Sequence, residues 1–122
     1  MPAPGNPSVG TVMLDCTDID TAVSFWTQLL GIEEATRFPG YVWLTAMPDG
    51  GPALAFQQVP EPKTVKNRMH LDLTVDDRAA FTARVLELGG ARVAEHEVSG
   101  FHWSVLADPE GNEFCVVERS AG

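Results

Sequence analysis

The stretch Met69-His70-Leu71-Asp72-Leu73-Thr74-Val75 alternates apolar and polar side chains with the period of a half-buried strand. It is followed by Asp76 and Asp77, either of which can cap a helix. Ala80, Phe81, Val85 and Leu88 then recur at the three-four spacing of one helical face, and Gly89-Gly90 stops the run. The same grammar occurs once earlier. Val9 to Cys16 reads as a strand, Asp18 or Asp20 as the cap, Ala22, Phe25, Trp26, Leu29 and Leu30 as the apolar stripe, and Gly31 as the stop.

Working outward from these two runs, short matches recur in the same order along both halves. Leu14-Asp15-Cys16-Thr17 matches Leu71-Asp72-Leu73-Thr74, and Gly40-Tyr41-Val42-Trp43 matches Gly100-Phe101-His102-Trp103. Ala46-Met47-Pro48-Asp49-Gly50 matches Ala107-Asp108-Pro109-Glu110-Gly111, and Phe56 and Val59 match Phe114 and Val117. The offset drifts only as loop insertions would make it drift. After each helix come three short apolar segments, separated by Pro39-Gly40 and Pro48-Asp49-Gly50-Gly51 in one half and by Ser99-Gly100 and Asp108-Pro109-Glu110-Gly111 in the other. Each half therefore reads β-α-β-β-β. Val59-Pro60-Glu61-Pro62 resists helix and mid-sheet placement and marks the seam. The expected organisation is a single domain over residues 9–118, made of modules 9–59 and 68–118 joined by linker 60–67, with tails 1–8 and 119–122. The expected class is α+β, with a curved, cleft-enclosing mixed sheet and the helices on its outer face.

The chain has 122 residues and a formal net charge of −9. With 44% hydrophobic residues it can bury roughly two thirds of the surface its unfolded chain exposes. The acidic balance repels phosphate, which argues against nucleic acid and against an anionic membrane surface as partners. Cys16 and Cys115 form no Cys-x-x-Cys pattern, so a reducing compartment is expected. The opening Met1-Pro-Ala-Pro-Gly-Asn-Pro-Ser8 has neither a basic nor an apolar targeting region, and a cytoplasmic protein is the expectation.

Strand parity divides the side chains into two faces. Val12, Leu14, Leu54, Phe56, Leu71, Leu73, Val75, Phe114 and Val116 form the face that packs under the helices. The other face carries Thr11, Met13, Asp15, Ala53, Ala55, Gln57, Arg68, His70, Asp72, Thr74, Glu113, Cys115 and Val117. It is small, polar and titratable, where a solvated face would be crowded with Lys and Glu. If the sheet curls, this face becomes the floor of a ligand cleft. Lys63-Thr64-Val65-Lys66-Asn67-Arg68 gathers three of the eight basic residues just before His70, and Arg68 can grip a carboxylate or phosphate from that face. Asp15 and Asp72 occur in both copies and are read as bonding the strand-to-helix turns. His96 is expected at the surface, and Trp43 and Trp103 as core or contact aromatics, with stacking on a planar ligand as the functional alternative for Trp103.

The duplicated grammar, Phe25-Trp26-x-x-Leu29-Leu30-Gly31, His70-Leu71-Asp72-Leu73-Thr74-Val75 and Asp108-Pro109-Glu110-Gly111-Asn112-Glu113-Phe114 together resemble the glyoxalase, bleomycin-resistance and extradiol-dioxygenase group, the vicinal oxygen chelate superfamily, and within it the small glyoxalase-like branch. The resemblance covers about residues 9 to 118. It implies a homodimer. For metal-dependent members it implies four inward ligands drawn from His, Gln and Glu, on the first and last strand of each module. Those positions fall on Thr11, on or beside Gln57, on His70 and on Cys115, and only His70 matches clearly.

A divalent cation in such a site needs carboxylates to neutralise it, and in the isomerases also to move a proton. Their absence makes metal-independent small-molecule binding the leading expectation, with no cofactor. A planar or anionic ligand would sit over His70, Gln57 and Cys115, with Thr11, and be flanked by Trp103 and Arg68. The rival expectation is a metal-dependent lyase, isomerase or dioxygenase using zinc, nickel, manganese or iron on His70. A softer ion could use His70 with Cys115 and Gln57, or Asp15 or Asp72 in substitution. The third is an interaction module with a vestigial cleft.

Overall fold

The computed structural model describes residues 5–119, so the outer parts of both expected tails, residues 1–4 and 120–122, lie outside the described residues. The element order is β1 (Thr11–Cys16), α1 (Ile19–Leu30), β2 (Glu34–Phe38), β3 (Tyr41–Leu44), β4 (Ala53–Gln58), β5 (Leu71–Val75), α2 (Arg78–Glu87), β6 (Ala91–Val98), β7 (Phe101–Ala107) and β8 (Glu113–Glu118). This is the expected β-α-β-β-β grammar, twice.

Asp18 caps α1 by accepting the Thr21 N–H at 3.1 Å, and Gly31 ends the helix in the left-handed region at φ 68°. Asp77 caps α2 by accepting the Ala80 N–H at 3.0 Å. These two aspartates fill the turn-bonding role expected of Asp15 and Asp72, whose side chains lie exposed on the opposite face of the sheet. The α1 stripe buries Ala22, Phe25 and Trp26 as read, with Val23 added. The α2 stripe is corrected at one place: Ala80 is exposed, and Thr82 is buried with its hydroxyl donating to the Arg78 carbonyl at 2.8 Å. A hydroxyl satisfied by its own helix can face the core, so apolar spacing alone misjudged this face.

The strands form two four-stranded mixed sheets, ordered β1-β4-β3-β2 and β5-β8-β7-β6. In each the first and last strands of a module pair in parallel and the remaining pairs are antiparallel. The class is α+β in two modules, as read, with one four-stranded mixed sheet contributed by each module. The strand expected over Met69–Val75 begins only at Leu71, leaving Met69 and His70 outside the ladder. The reason lies in Asn67, whose Oδ1 accepts the Glu113 N–H at 2.9 Å, so a side chain takes the β8 donor just before the first rung, Leu71 opposite Phe114.

The helix-facing parity is as read: Leu54, Phe56, Phe114 and Val116 are buried, with Val12, Leu14, Leu71, Leu73 and Val75 partly buried against them. One hydrophobic cluster spans both modules. Trp26 of α1 crosses to the second module, its ring 5.0 Å from Phe114 and its Nε1 donating to Asp108 Oδ2 at 2.9 Å. Asn112 Nδ2 donates back to the Asp15 carbonyl at 3.0 Å. Glu110 accepts from the Thr17 N–H and hydroxyl and from the Asp18 N–H, holding the start of α1. The 108–112 turn is therefore a clasp between modules.

Candidate functional site

The sequence-derived residues fall largely into two neighbouring groups. The first is a cavity of about 440 Å³ beside β1 and the segment leading into β5. Val12, Leu14, Trp26 and Phe114 supply apolar lining, Thr11, Met13, Arg68 and His70 also line it, and the acidic Asp15 and Glu113 are among its lining residues, Glu113 being engaged by Lys66. Its volume lies within the range of small-molecule pockets. The approach to His70 is positioned by Asn67, which bonds both Glu113 and Asn112 Oδ1, the latter at 3.0 Å. Lys66 pairs with Glu113, whereas Arg68 makes no ion pair among the described residues. A larger cavity, about 680 Å³, follows the seam between the modules and is lined largely by helix-facing residues such as Leu54, Leu71, Leu73 and Phe81. It lacks His70 and Arg68.

The second group is His70, Asp72 and Cys115, whose ligand-capable atoms all lie within 4.8 Å of one another. Asp72 and Cys115 are direct partners across the parallel β5·β8 pair, and His70 Nε2 lies 3.4 Å from Asp72 Oδ1. His70 and Asp72 are exposed and Cys115 is buried. Burial pushes the Cys115 thiol above its ordinary range, and the Asp72 carboxylate adds to the shift.

Gln57 and Trp103 are not among the residues lining the 440 Å³ cavity. The Gln57 amide reaches the Tyr41 hydroxyl at 3.4 Å, and Trp103 stacks on His96 with ring centroids 5.1 Å apart, its other neighbour being Phe101. His96 is exposed, as read. Sequence reasoning undervalued Asp72 and did not single out Asn67 and Asn112. Asp72 was legible as a residue two positions from His70 on the same strand face. Asn67 and Asn112 act across the chain, and no local pattern signals that.

The four positions at which metal-dependent members hold a cation were tested against this geometry. Thr11 offers a hydroxyl, Gln57 a neutral amide already beside Tyr41, and Cys115 a thiol; none of these positions carries a carboxylate. A hard divalent ion requires oxygen donors and charge neutralisation, so this two-module set does not fit one.

A double β-α-β-β-β fold is the architecture of the glyoxalase-like proteins. The glyoxalase-like domain model matches residues 11–117, and the chain belongs to that family. Among solved structures, a glyoxalase/bleomycin resistance protein/dioxygenase family enzyme from Burkholderia phytofirmans PsJN superimposes with a TM-score of 0.75 at 21% identity, over 92% of this chain and 98% of that one. A bleomycin-binding protein complexed with bleomycin aligns with a TM-score of 0.66 at 20% identity, over 94% and 100%. A fosfomycin resistance protein from Listeria monocytogenes, complexed with Mn(II) and a dihydroxypropylphosphonic acid, aligns with a TM-score of 0.75 at 12% identity, over 91% and 88%. No curated protein matches the sequence. At these identities the likeness is one of fold. Among the described residues no helix is long and apolar enough to cross a membrane.

Proposed function

We propose that the protein binds a small anionic molecule in the 440 Å³ cavity, without a metal and without breaking a bond. The observation that carries this reading is the pairing of an apolar lining, Val12, Leu14, Trp26 and Phe114, with His70 and with Arg68, which makes no ion pair among the described residues. Apolar contact supplies affinity in such a pocket, and a few polar groups fix orientation. A guanidinium with no ion-pair partner among the described residues is available to a carboxylate or phosphonate, which it can hold through two parallel hydrogen bonds. The solved relative that holds bleomycin supports a binding role for the fold, and the one that holds Mn(II) with a phosphonic acid supports an anionic class of ligand. Trp103 lies outside the cavity, so the ligand is gripped by the apolar lining and Arg68 rather than by the indole.

The working unit is a homodimer in this reading. Met13, Phe38 and Tyr41 on one sheet, and Val98 and Phe101 on the other, lie on the faces away from the helices and remain exposed in the single chain, Phe38 and Phe101 each by 56%. Sedimentation is expected to give twice the chain mass, and a monomer at all concentrations would reject this assembly.

The binding test is a melting-temperature screen of small carboxylates and phosphonates against their neutral amides, run both with and without EDTA. A ligand of the native state at about 100 times its Kd stabilises by roughly 2.7 kcal/mol. Anionic compounds are expected to raise the Tm, Arg68→Ala to abolish the preference for anion over amide, and Met13→Trp to block binding by filling the cavity. Shifts that vanish in EDTA would replace this reading with a metal-dependent one, and no shift from any compound would leave the interaction module.

A further inference from the structure

Among the described residues, every partly buried apolar side chain packed against the core, except Leu14 and Leu88, lines the cavity of about 680 Å³ at the seam between the modules. Leu29 and Leu30 of α1, Phe81 of α2 and Leu73 of β5 thus belong to a core-like wall that stays open to water in the single chain. This cavity adjoins the one of 440 Å³, because Val12 and Leu71 line both. Those two residues lie on β1 and β5, each the outer strand of its own sheet, and the two strands are not paired with each other. At the seam the cavities are therefore divided by aliphatic side chains and not by a hydrogen-bonded ladder. Side chains can turn aside by changing rotamer, where a ladder would have to break.

We infer that one ligand occupies both cavities: an acid with a single aliphatic chain, its anionic head at Arg68 and its tail passing between Val12 and Leu71 into the larger cavity. This rests on the anion reading above and names the class of ligand. The charges set the orientation. Arg68 makes no ion pair among the described residues, whereas Arg119, the cation lining the larger cavity, is engaged by Asp76 at 2.9 Å. The other charged residues there, Asp49 and Asp72, are acids, so that end repels a second anionic group and accepts an apolar tail. The larger cavity follows β5 from Leu71 to Val75, about 13 Å at about 3.3 Å per residue, which suits a chain of about ten carbons. None of the residues assigned to the homodimer faces lines this cavity, so the tail is what covers the wall.

The test uses the full, unmutated chain with isotope-labelled methionine methyl groups, because Met13 lines the smaller cavity and Met47 the larger. It is titrated with propylphosphonate, decylphosphonate and decanol below their micelle-forming concentrations. Propylphosphonate is expected to move the Met13 methyl resonance alone, and decylphosphonate to move both. Each buried methylene raises affinity by roughly fourfold, so decylphosphonate should bind at least about a hundredfold more tightly than propylphosphonate. Leu73→Trp, which fills the larger cavity, should weaken decylphosphonate by about tenfold or more, with folding checked by circular dichroism. Val93→Ala, an exposed change on β6, should leave it unchanged. Decylphosphonate moving Met13 but not Met47 would overturn the tail assignment while the anion reading stands. Decanol moving Met47 as strongly as decylphosphonate does would overturn the single ligand, since the larger cavity would then take chains by itself. A Met13 resonance that no phosphonate moves would reject the anion reading and this inference with it.

Discussion

Cys16 and Asp108 sit at the join between modules, and burial shifts both in the same direction. Desolvation moves the Cys16 thiol from its ordinary 9.0 to about 11, helped by the acids at Glu110 and Asp108. The unfolded chain ionises this thiol at lower pH than the native one. Its contribution to stability is therefore complete below about pH 9 and lost as the pH climbs through about 11. Denaturant unfolding at pH 8 and pH 10.5 should show a larger fall for the native sequence than for Cys16→Ala, and Cys16 should resist alkylation at pH 8. Asp108 is likewise raised, first by desolvation, against the pull of hydrogen bonds from Trp26 and from the Glu110 and Asn112 amides. Asp108→Asn keeps one acceptor oxygen but turns an amide N–H toward a donor, Trp26 Nε1 or a backbone N–H. A loss of about 1–3 kcal/mol in unfolding free energy is expected, and a neutral result would mean the indole bond is dispensable.

Among the elements, the passage from α2 to β6 tolerates least change. A Cβ on Gly90 would meet the Ala107 carbonyl oxygen and Val85 Cγ1, both at 2.6 Å, and Phe25 Cε1 at 3.1 Å. The carbonyl belongs to β7 and cannot retreat without breaking the ladder. Gly90→Ala should cost about 1–3 kcal/mol, seen as a Tm drop of several degrees. Gly10→Ala, which meets nothing within 4 Å, serves as the control and should leave Tm within a degree or so. The helices were legible because caps, stripe and stop are local signals, and Asp18, Asp77 and Gly31 all act within a few residues of themselves. Thr82 in place of Ala80 was not, because a back-bonded hydroxyl reads as polar in any one-dimensional pattern. The start of β5 was misread for a related reason, since Asn67 acts on a partner 46 residues away.

The whole molecule depends on how its two halves are fastened. Trp26, Asp108, Glu110 and Asn112 join α1 and β1 of one module to the turn before β8 of the other. Glu110→Ala removes the three bonds that hold the start of α1, and hydrogen exchange should quicken together at Thr17 and Asp18 and across residues 108–112. Faster exchange at α1 alone would show that the clasp does not couple the modules. The duplication, the order of elements, the caps and the assignment of strand residues to two faces were determined by the sequence alone, because each rests on spacing within a few residues. Tertiary structure alone decided that Thr11, Arg68 and His70 line one cavity, that Cys115 and Asp72 meet His70, and that Gln57 and Trp103 do not line that cavity. Strand parity names a face but not a position along it, and which side chains converge depends on register between strands and on the angle between modules, neither of which a local pattern encodes.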